Sequence, residues 1–296
     1  MGLALVKNVT GENISRLQTD ANANIVCQEN LQYMHSLASA SMHLIVTSPP
    51  YNIGKEYEEK KTSQDLYKEE QAACIAEAVR VLHPKGSICW QVGNHVDNGE
   101  IFPLDILLYD LFKNHGLKLR NRIVWTFGHG LHCQKRFSGR HETILWFTKS
   151  DDYVFNLDAI RVPSKYPYKK HFKGPRKGKV SSNPNGKNPS DVWEIPNVKW
   201  NHVEKTNHPC QFPIGLVERL VLGLTKAGQN VLDPYIGVGS SAIAALKNGR
   251  NAFGCDKEQD YIDVAWERIH QLRAGMLRTR PMNKPIYAPP PRKDGE

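Results

Sequence analysis

Acidic side chains are missing where this chain is most basic. Residues 159–190 hold nine lysines and arginines (Arg161, Lys165, Lys169, Lys170, Lys173, Arg176, Lys177, Lys179 and Lys187) and no aspartate or glutamate. The whole chain has a net charge of +9, so this segment accounts for it and the remainder is near neutral. Such a patch points to a polyanion, or else to a solvated basic loop. Long apolar runs are also missing. No stretch reaches the roughly 18 residues that span a bilayer, so no membrane helix is expected. Met1 to Thr10 has one lysine with no long apolar region behind it, which is not the layout of a secretory leader. Cysteine is sparse and scattered (Cys27, Cys74, Cys89, Cys133, Cys210, Cys255). With no C-x-x-C pair, neither a zinc site nor a disulfide framework is indicated, and a reducing, cytoplasmic setting is expected. The G-x-G-x-x-G fingerprint of dinucleotide enzymes is absent as well.

What is present is an α/β rhythm, with 40% hydrophobic residues to fill a core. Strands are expected at Ala23–Cys27, Met42–Val46, Ser87–Val92, Leu119–Phe127, Glu142–Thr148, 230–232 and Asn251–Cys255. Helices are expected at Asn30–Leu37, Asp65–Leu82, Pro103–His115, Ile214–Thr225, Ala242–Asn248 and Gln259–Leu272. His83-Pro84-Lys85-Gly86 reads as a helix stop, and 52–64 as a mobile loop over a site. Residues 151–205 break the rhythm with lysine, proline, asparagine, glycine and tyrosine, and read as an insertion with aromatics among basic residues. The chain then divides into 1–150, the insertion 151–205, a second α/β part 206–272, and a basic, proline-rich tail 273–296 that reads as extended or disordered. The loop 128–141 holds His129, His132, Cys133 and His141, but no compact spacing matches a structural metal site, so no metal is expected.

Two stretches carry chemistry. Thr47-Ser48-Pro49-Pro50-Tyr51 follows an apolar strand, and two prolines pin the backbone in an extended turn at its carboxyl edge, where open α/β sheets bind ligands. The turn offers a hydroxyl, carbonyls and an aromatic face. These suit a flat ligand bearing an amine, unless the turn is simply rigid with a tyrosine packed beneath it. The second stretch is Asp233-Pro234-Tyr235-Ile236-Gly237-Val238-Gly239-Ser240-Ser241, between a strand and a helix. Its glycines let backbone approach a ligand closely. Asp256, 23 positions after Asp233 at the tip of the next strand, has the spacing of a ribose-binding acid. A carboxylate at the mouth of the turn would repel a pyrophosphate and attract an ammonium, which favours an amino-acid nucleoside over NAD.

D-P-Y-I-G-V-G-S-S resembles the S-adenosylmethionine-binding motif of DNA amino-methyltransferases, and T-S-P-P-Y resembles their catalytic motif. His208-Pro209 with Pro213 resembles the segment before the cofactor motif. The catalytic motif comes first, then the basic insertion, then the cofactor motif, which is the permuted order of the β class. The resemblance covers roughly residues 25–270. It implies a Rossmann-like, S-adenosylmethionine-dependent methyltransferase sheet in circularly permuted motif order, with the insertion as target-recognition region.

Position by position, the resemblance implies that Asp233, Pro234, Tyr235, Gly237, Gly239 and Ser240 receive the cofactor and that Asp256 holds its ribose. Phe212, Cys255 and Lys257 would border the adenine. Ser48 Oγ and the Pro49 carbonyl would accept hydrogen bonds from the amine of a flipped base, with Pro50 fixing the turn and Tyr51 stacking on the base. No cysteine precedes the Pro-Pro, which argues against a cytosine-C5 enzyme. Family members with serine before the Pro-Pro are mostly cytosine-N4 enzymes and those with aspartate mostly adenine-N6 enzymes, so Ser48 favours N4. Where relatives often have Gly-Asp, this chain has Gln28-Glu29, so a cofactor contact from there is not expected. Lys169, Lys170, Lys173, Arg176, Lys177 and Lys179, with Arg136 and Arg140 of the 128–141 loop, are the candidate contacts to double-stranded DNA. A separately acting cognate endonuclease and a monomer or homodimer fit the same resemblance. The rival readings are a Rossmann dehydrogenase, an RNA or protein amine methyltransferase, and a non-catalytic DNA-binding module.

Overall fold

The computed structural model describes residues 21–51, 63–128, 130 and 132–284. Two expectations fall largely outside it: most of the loop 52–64 and the end of the tail. One eight-stranded sheet organises the chain. In chain order its strands are β1 (Ala23–Cys27), β2 (Met42–Thr47), β3 (Leu82–Val92), β6 (Lys118–Thr126), β7 (His141–Thr148), β8 (Val192–Glu194), β9 (Asn230–Asp233) and β10 (Asn251–Asp256). Across the sheet the order is β1-β10-β9-β2-β3-β7-β6-β8. All pairings are parallel except those of β7, which runs antiparallel to β3 and β6. β4 (Asn94–Asp97) and β5 (Glu100–Pro103) form a separate hairpin.

Helices cover both faces, as a mostly parallel sheet requires. On one face, α1 (Asn30–Ser36), α2 (Gln64–Val81) and α3 (Leu104–Asn114) bury Met34, Ile75, Leu108 and Phe112 against Ile45, Ile88, Trp90 and Phe147. On the other, α4 (Ile214–Leu224), α5 (Ser240–Lys247) and α6 (Gln259–Arg273) pack against Leu44, Val46 and Cys89. Leu44, Ile45 and Val46 thus alternate between two apolar layers, so β2 is buried on both sides. Ser63 caps α2 by accepting from the Leu66 N–H at 3.2 Å. Phe112 stacks on Phe147 at 4.6 Å between centroids, which fixes α3 on β7.

Four features differ from the sequence reading. His83-Pro84-Lys85-Gly86 is a bulge within β3, not a separator before it: Leu82 lies opposite Met42 and Ser87 opposite Leu44. The β4–β5 hairpin is an addition to the expected elements; Asn98 and Gly99 both have positive φ, 48° and 88°, as an Asn-Gly hairpin turn demands. β8 adds a parallel edge strand from within the 151–205 segment, and Trp193 and Ile195 from that stretch are buried in the core. The tail follows an irregular path through residue 284 and is tied to the body. There the Arg280 N–H donates to Glu204 at 2.8 Å, and Arg219 donates to Asn283 at 3.2 Å.

The middle of 151–205 is an exposed antiparallel arm. It is held by bridges between Val162 and Lys187 and between Lys170 and Val180. Its turns pass through Gly174 and Gly178, both with positive φ. Tyr166, Tyr168 and Phe172 stand exposed on it among the lysines.

Candidate active site

One sheet edge collects the functional residues. The carboxyl ends of β1, β2, β3, β9 and β10 lie on it, and antiparallel β7 begins there, which brings Glu142 to the same place. A cavity of about 410 Å³ opens at this edge. Its walls are the Ser48–Tyr51 turn, Pro234–Val238 with Ser240, Asp256–Glu258, and the His208–Phe212 segment. Gln28, Glu29 and Asn30, from the chain after β1, line it too.

On the catalytic-motif wall, the Tyr67 hydroxyl donates to the Pro50 carbonyl at 3.0 Å. That engages the Pro50 carbonyl, while Ser48 and Pro49 line the cavity beside it. Ser48 Oγ lies 3.3 Å from the Tyr51 hydroxyl. Gln91 Nε2 donates to the Tyr51 hydroxyl at 2.6 Å and to Glu142 Oε2 at 2.5 Å. Tyr51 also reaches Glu142 Oε2 at 3.4 Å. Burial, reinforced by the Glu142 charge, pushes the Tyr51 phenol well above its ordinary range, so it stays neutral. Burial likewise raises the Glu142 carboxyl to about 7, against the pull of its two hydrogen bonds and of Lys199.

On the opposite wall, Gly237 has φ 48° and Gly239 φ 80°. A Cβ on Gly237 would sit 3.2 Å from His208 Nε2, and one on Gly239 would sit 2.9 Å from the Ala265 Cβ. Glycine is required at both places, which shapes a tight turn into the start of α5. Asp256 holds that turn, accepting from the Gly237 N–H and the Glu258 N–H, each at 3.0 Å. Each carboxylate oxygen retains capacity for a further donor. His208 is held neutral, its pKa lowered to about 4 by burial and by Lys205.

Asp233 is placed differently from the expectation. It does not stand at the mouth of the turn and does not line the cavity; it is 1% exposed. Its carboxylate accepts from Thr47 Oγ1 at 2.6 Å, Ser241 Oγ at 2.6 Å and the Tyr235 N–H at 3.1 Å. Burial nevertheless raises its pKa to about 6. Asp233 therefore ties β2, β9 and α5 together behind the wall. Gly239 also lies off the lining, whereas Ser48, Pro49, Pro50, Tyr51, Phe212, Pro234, Tyr235, Gly237, Ser240 and Asp256 are all on it. Lys169, Lys170, Lys173, Arg176, Lys177, Lys179, Arg136 and Arg140 lie outside the cavity, the six lysines and arginines of 169–179 on the arm. Sequence reasoning missed Gln91, Glu142 and Tyr261. A lone carboxylate opening the otherwise apolar strand Thr143–Thr148 was the available signal for Glu142.

A family model described as DNA methylase matches residues 42–267. The chain belongs to this DNA methylase family. The methylase is 47% identical over 240 residues to the type II methyltransferase M.BglII of Bacillus subtilis, covering 81% of this chain and 66% of that relative's length. It is 30% identical to the DNA adenine methyltransferase YhdJ of Escherichia coli, over 88% of this chain and 86% of YhdJ. Among solved structures, the PvuII cytosine-N4-specific DNA methyltransferase shares the fold. Its TM-score is 0.67 at 17% identity, over 89% of this chain and 96% of that one. TTHA0409 of Thermus thermophilus, in complex with S-adenosyl-L-methionine, matches at TM-score 0.62 and 25% identity, over 86% of this chain and 95% of that one.

Proposed function

We propose that this methylase transfers a methyl group from S-adenosylmethionine to the exocyclic amine of a base flipped out of double-stranded DNA, with cytosine N4 as target. One observation carries the reading: a single cavity has an amine-accepting turn on one wall and a glycine turn with a strand-tip acid on the other. The residues fit the cofactor. The left-handed Gly237 opens backbone to close approach, Asp256 and Glu29 offer carboxylates to hydroxyl and ammonium groups, and neutral His208 adds no charge that would repel a sulfonium. When bound, the cofactor supplies an activated methyl on a sulfonium. The solved complex of TTHA0409 with S-adenosyl-L-methionine supports that choice.

The chain's own residues then do the positioning. Ser48 Oγ and the Pro49 carbonyl accept from the two amine hydrogens and orient the nitrogen lone pair, and Tyr51 presents its ring to the base. Catalysis of this kind is orientation and fixed dipoles in a site closed to water. A flipped base is needed because the amine is out of reach inside the stack. The exposed arm, with Lys169, Lys170, Lys173, Arg176, Lys177 and Lys179 around Tyr166, Tyr168 and Phe172, makes the duplex contacts and the target choice. A cognate endonuclease acting separately suits a relative of type II methyltransferases.

Ser48, in place of a carboxylate, supports N4-cytosine. The second reading is N6-adenine, supported by the 30% identity to a DNA adenine methyltransferase. The test is transfer of tritium from labelled S-adenosylmethionine to duplex DNA, to RNA and to protein in parallel. Label in duplex DNA alone is expected, and label only in RNA or protein overturns the reading.

A further inference from the structure

Direct methylation of an amine leaves a proton to be disposed of, and the residues that orient the amine cannot keep it. Serine has no basic form near neutrality. The Tyr51 hydroxyl is half-buried, held neutral and already bonded to Gln91. His208, on the far wall, is a weak base, lowered to about 4. Asp233 lies off the cavity lining, with its carboxylate engaged by Thr47, Ser241 and Tyr235. Among the described residues one carboxylate touches the Ser-Pro-Pro-Tyr turn, that of Glu142.

We propose that Glu142 is the terminal proton acceptor of a relay running from the substrate amine through Ser48 Oγ and the Tyr51 hydroxyl. The proposal rests on the DNA-methylation reading. Its geometry is a continuous chain: Ser48 Oγ to Tyr51 OH at 3.3 Å and Tyr51 OH to Glu142 Oε2 at 3.4 Å. These are the lengths of a resting site that tightens on substrate binding. Gln91 fixes both partners through one amide, at 2.6 Å to the tyrosine and 2.5 Å to the carboxylate. Gly93, directly after β3, leaves room for them; a Cβ there would lie 3.0 Å from Tyr51 Cε2 and 3.5 Å from Glu142 Cγ. The charged and titratable groups facing Glu142 are Tyr51 from the turn after β2 and Lys199 from the segment after β8.

The step balances. The amine nitrogen forms its bond to the methyl carbon as the carbon–sulfur bond breaks, and that electron pair stays on sulfur as a neutral thioether. The nitrogen, now cationic, gives one proton to Ser48 Oγ. Ser48 passes its own proton to the Tyr51 oxygen, and Tyr51 passes its proton to Glu142. Serine and tyrosine end neutral and Glu142 ends as the acid. A carboxyl raised to about 7 matches this task, because it is substantially ionised before transfer yet basic enough to retain the proton.

The test compares wild type, Glu142→Gln and Glu142→Asp, with tritiated S-adenosylmethionine and PCR-amplified bacterial genomic DNA as probe. Single-turnover rates, cofactor Kd and melting temperature are measured for each. Glu142→Gln is expected to slow transfer about 100-fold or more at unchanged cofactor Kd, with the shorter Glu142→Asp between the two. The wild-type rate is expected to rise with pH through about 7 and that of Glu142→Gln to lose the rise. A readout independent of turnover is carbon-13 NMR of glutamate-labelled, cofactor-free protein, where the resonance lost in Glu142→Gln should titrate near about 7. A Glu142→Gln rate within about threefold of wild type, or a Glu142 midpoint in the ordinary carboxylate range, overturns the relay. Absence of label with wild-type protein overturns instead the methylation reading on which it rests.

Discussion

Asp233 offers a sharp test because its charge and its hydrogen bonds have opposite effects. Its folded pKa, about 6, lies above the ordinary aspartate value of about 3.9. Between those values the native state binds more protons at this site than the unfolded chain does, so the contribution of Asp233 to stability is fully present below about pH 4 and is lost as pH rises through about 6. The shift corresponds to about 3 kcal/mol lost from this group by about pH 7. An asparagine at this position would carry no such charge, and the hydroxyls of Thr47 and Ser241 can rotate to meet an amide. Asp233→Asn is therefore expected within about 1 kcal/mol of wild type at about pH 4 and to gain on it by about 3 kcal/mol toward neutrality. Urea denaturation from acid to mildly alkaline pH measures this, and parallel stability curves for the two proteins would refute the reasoning. The same variant separates two roles. Because the carboxylate sits behind the cavity wall, Asp233→Asn is expected to keep cofactor affinity within about threefold by titration calorimetry. Asp233→Ala strands the part-buried Tyr235 N–H, costs about 1–3 kcal/mol at every pH and abolishes cofactor binding by loosening the turn. Wild-type affinity in Asp233→Ala would sink the assignment of this turn.

Three further outcomes are expected. Neutralising Lys169, Lys170, Arg176 and Lys177 should lower the slope of log affinity against log salt by about 3–4, while cofactor affinity holds; an unchanged slope removes the arm from the interface. Gly239→Ala places a Cβ 2.9 Å from that of Ala265 at φ 80°, so about 1–3 kcal/mol of stability and most cofactor binding should be lost, read by melting and calorimetry. Phe112→Ala, which empties a fully buried site stacked on Phe147, should cost about 3–5 kcal/mol in urea titration.

Much of this architecture is legible in the sequence because local signals and global fold agree. Ala23–Cys27, Met42–Thr47 and Gln259–Arg273 are each marked by periodicity and by turn residues at their ends. Both motifs reach one cavity because parallel strands put their carboxyl ends on one edge. Where the reading failed, long-range pairing decided. Three residues, Val192–Glu194, carry no period, and only the open edge of β6 makes them a strand. The bulge at 83–86 is fixed by β2 alongside it rather than by the Pro-Lys-Gly sequence. The β4–β5 hairpin is different, since Asn98-Gly99 is a local turn signal that periodicity alone overlooks. Gln91 gave no local signal and Glu142 only a faint one, because their meeting depends on β7 running antiparallel beside β3, which no single stretch of sequence encodes. Asp233 shows the reverse: its motif located the turn correctly, but only the Thr47 and Ser241 hydroxyls reveal that it faces inward.

The most direct test of the central claim is mass spectrometry of nucleosides from unmethylated DNA incubated with the purified protein and S-adenosylmethionine. The account predicts N4-methylcytosine, and that this product disappears in Ser48→Ala. N6-methyladenine would contradict the choice of base, and the absence of any methylated nucleoside on DNA of varied sequence would contradict the account as a whole.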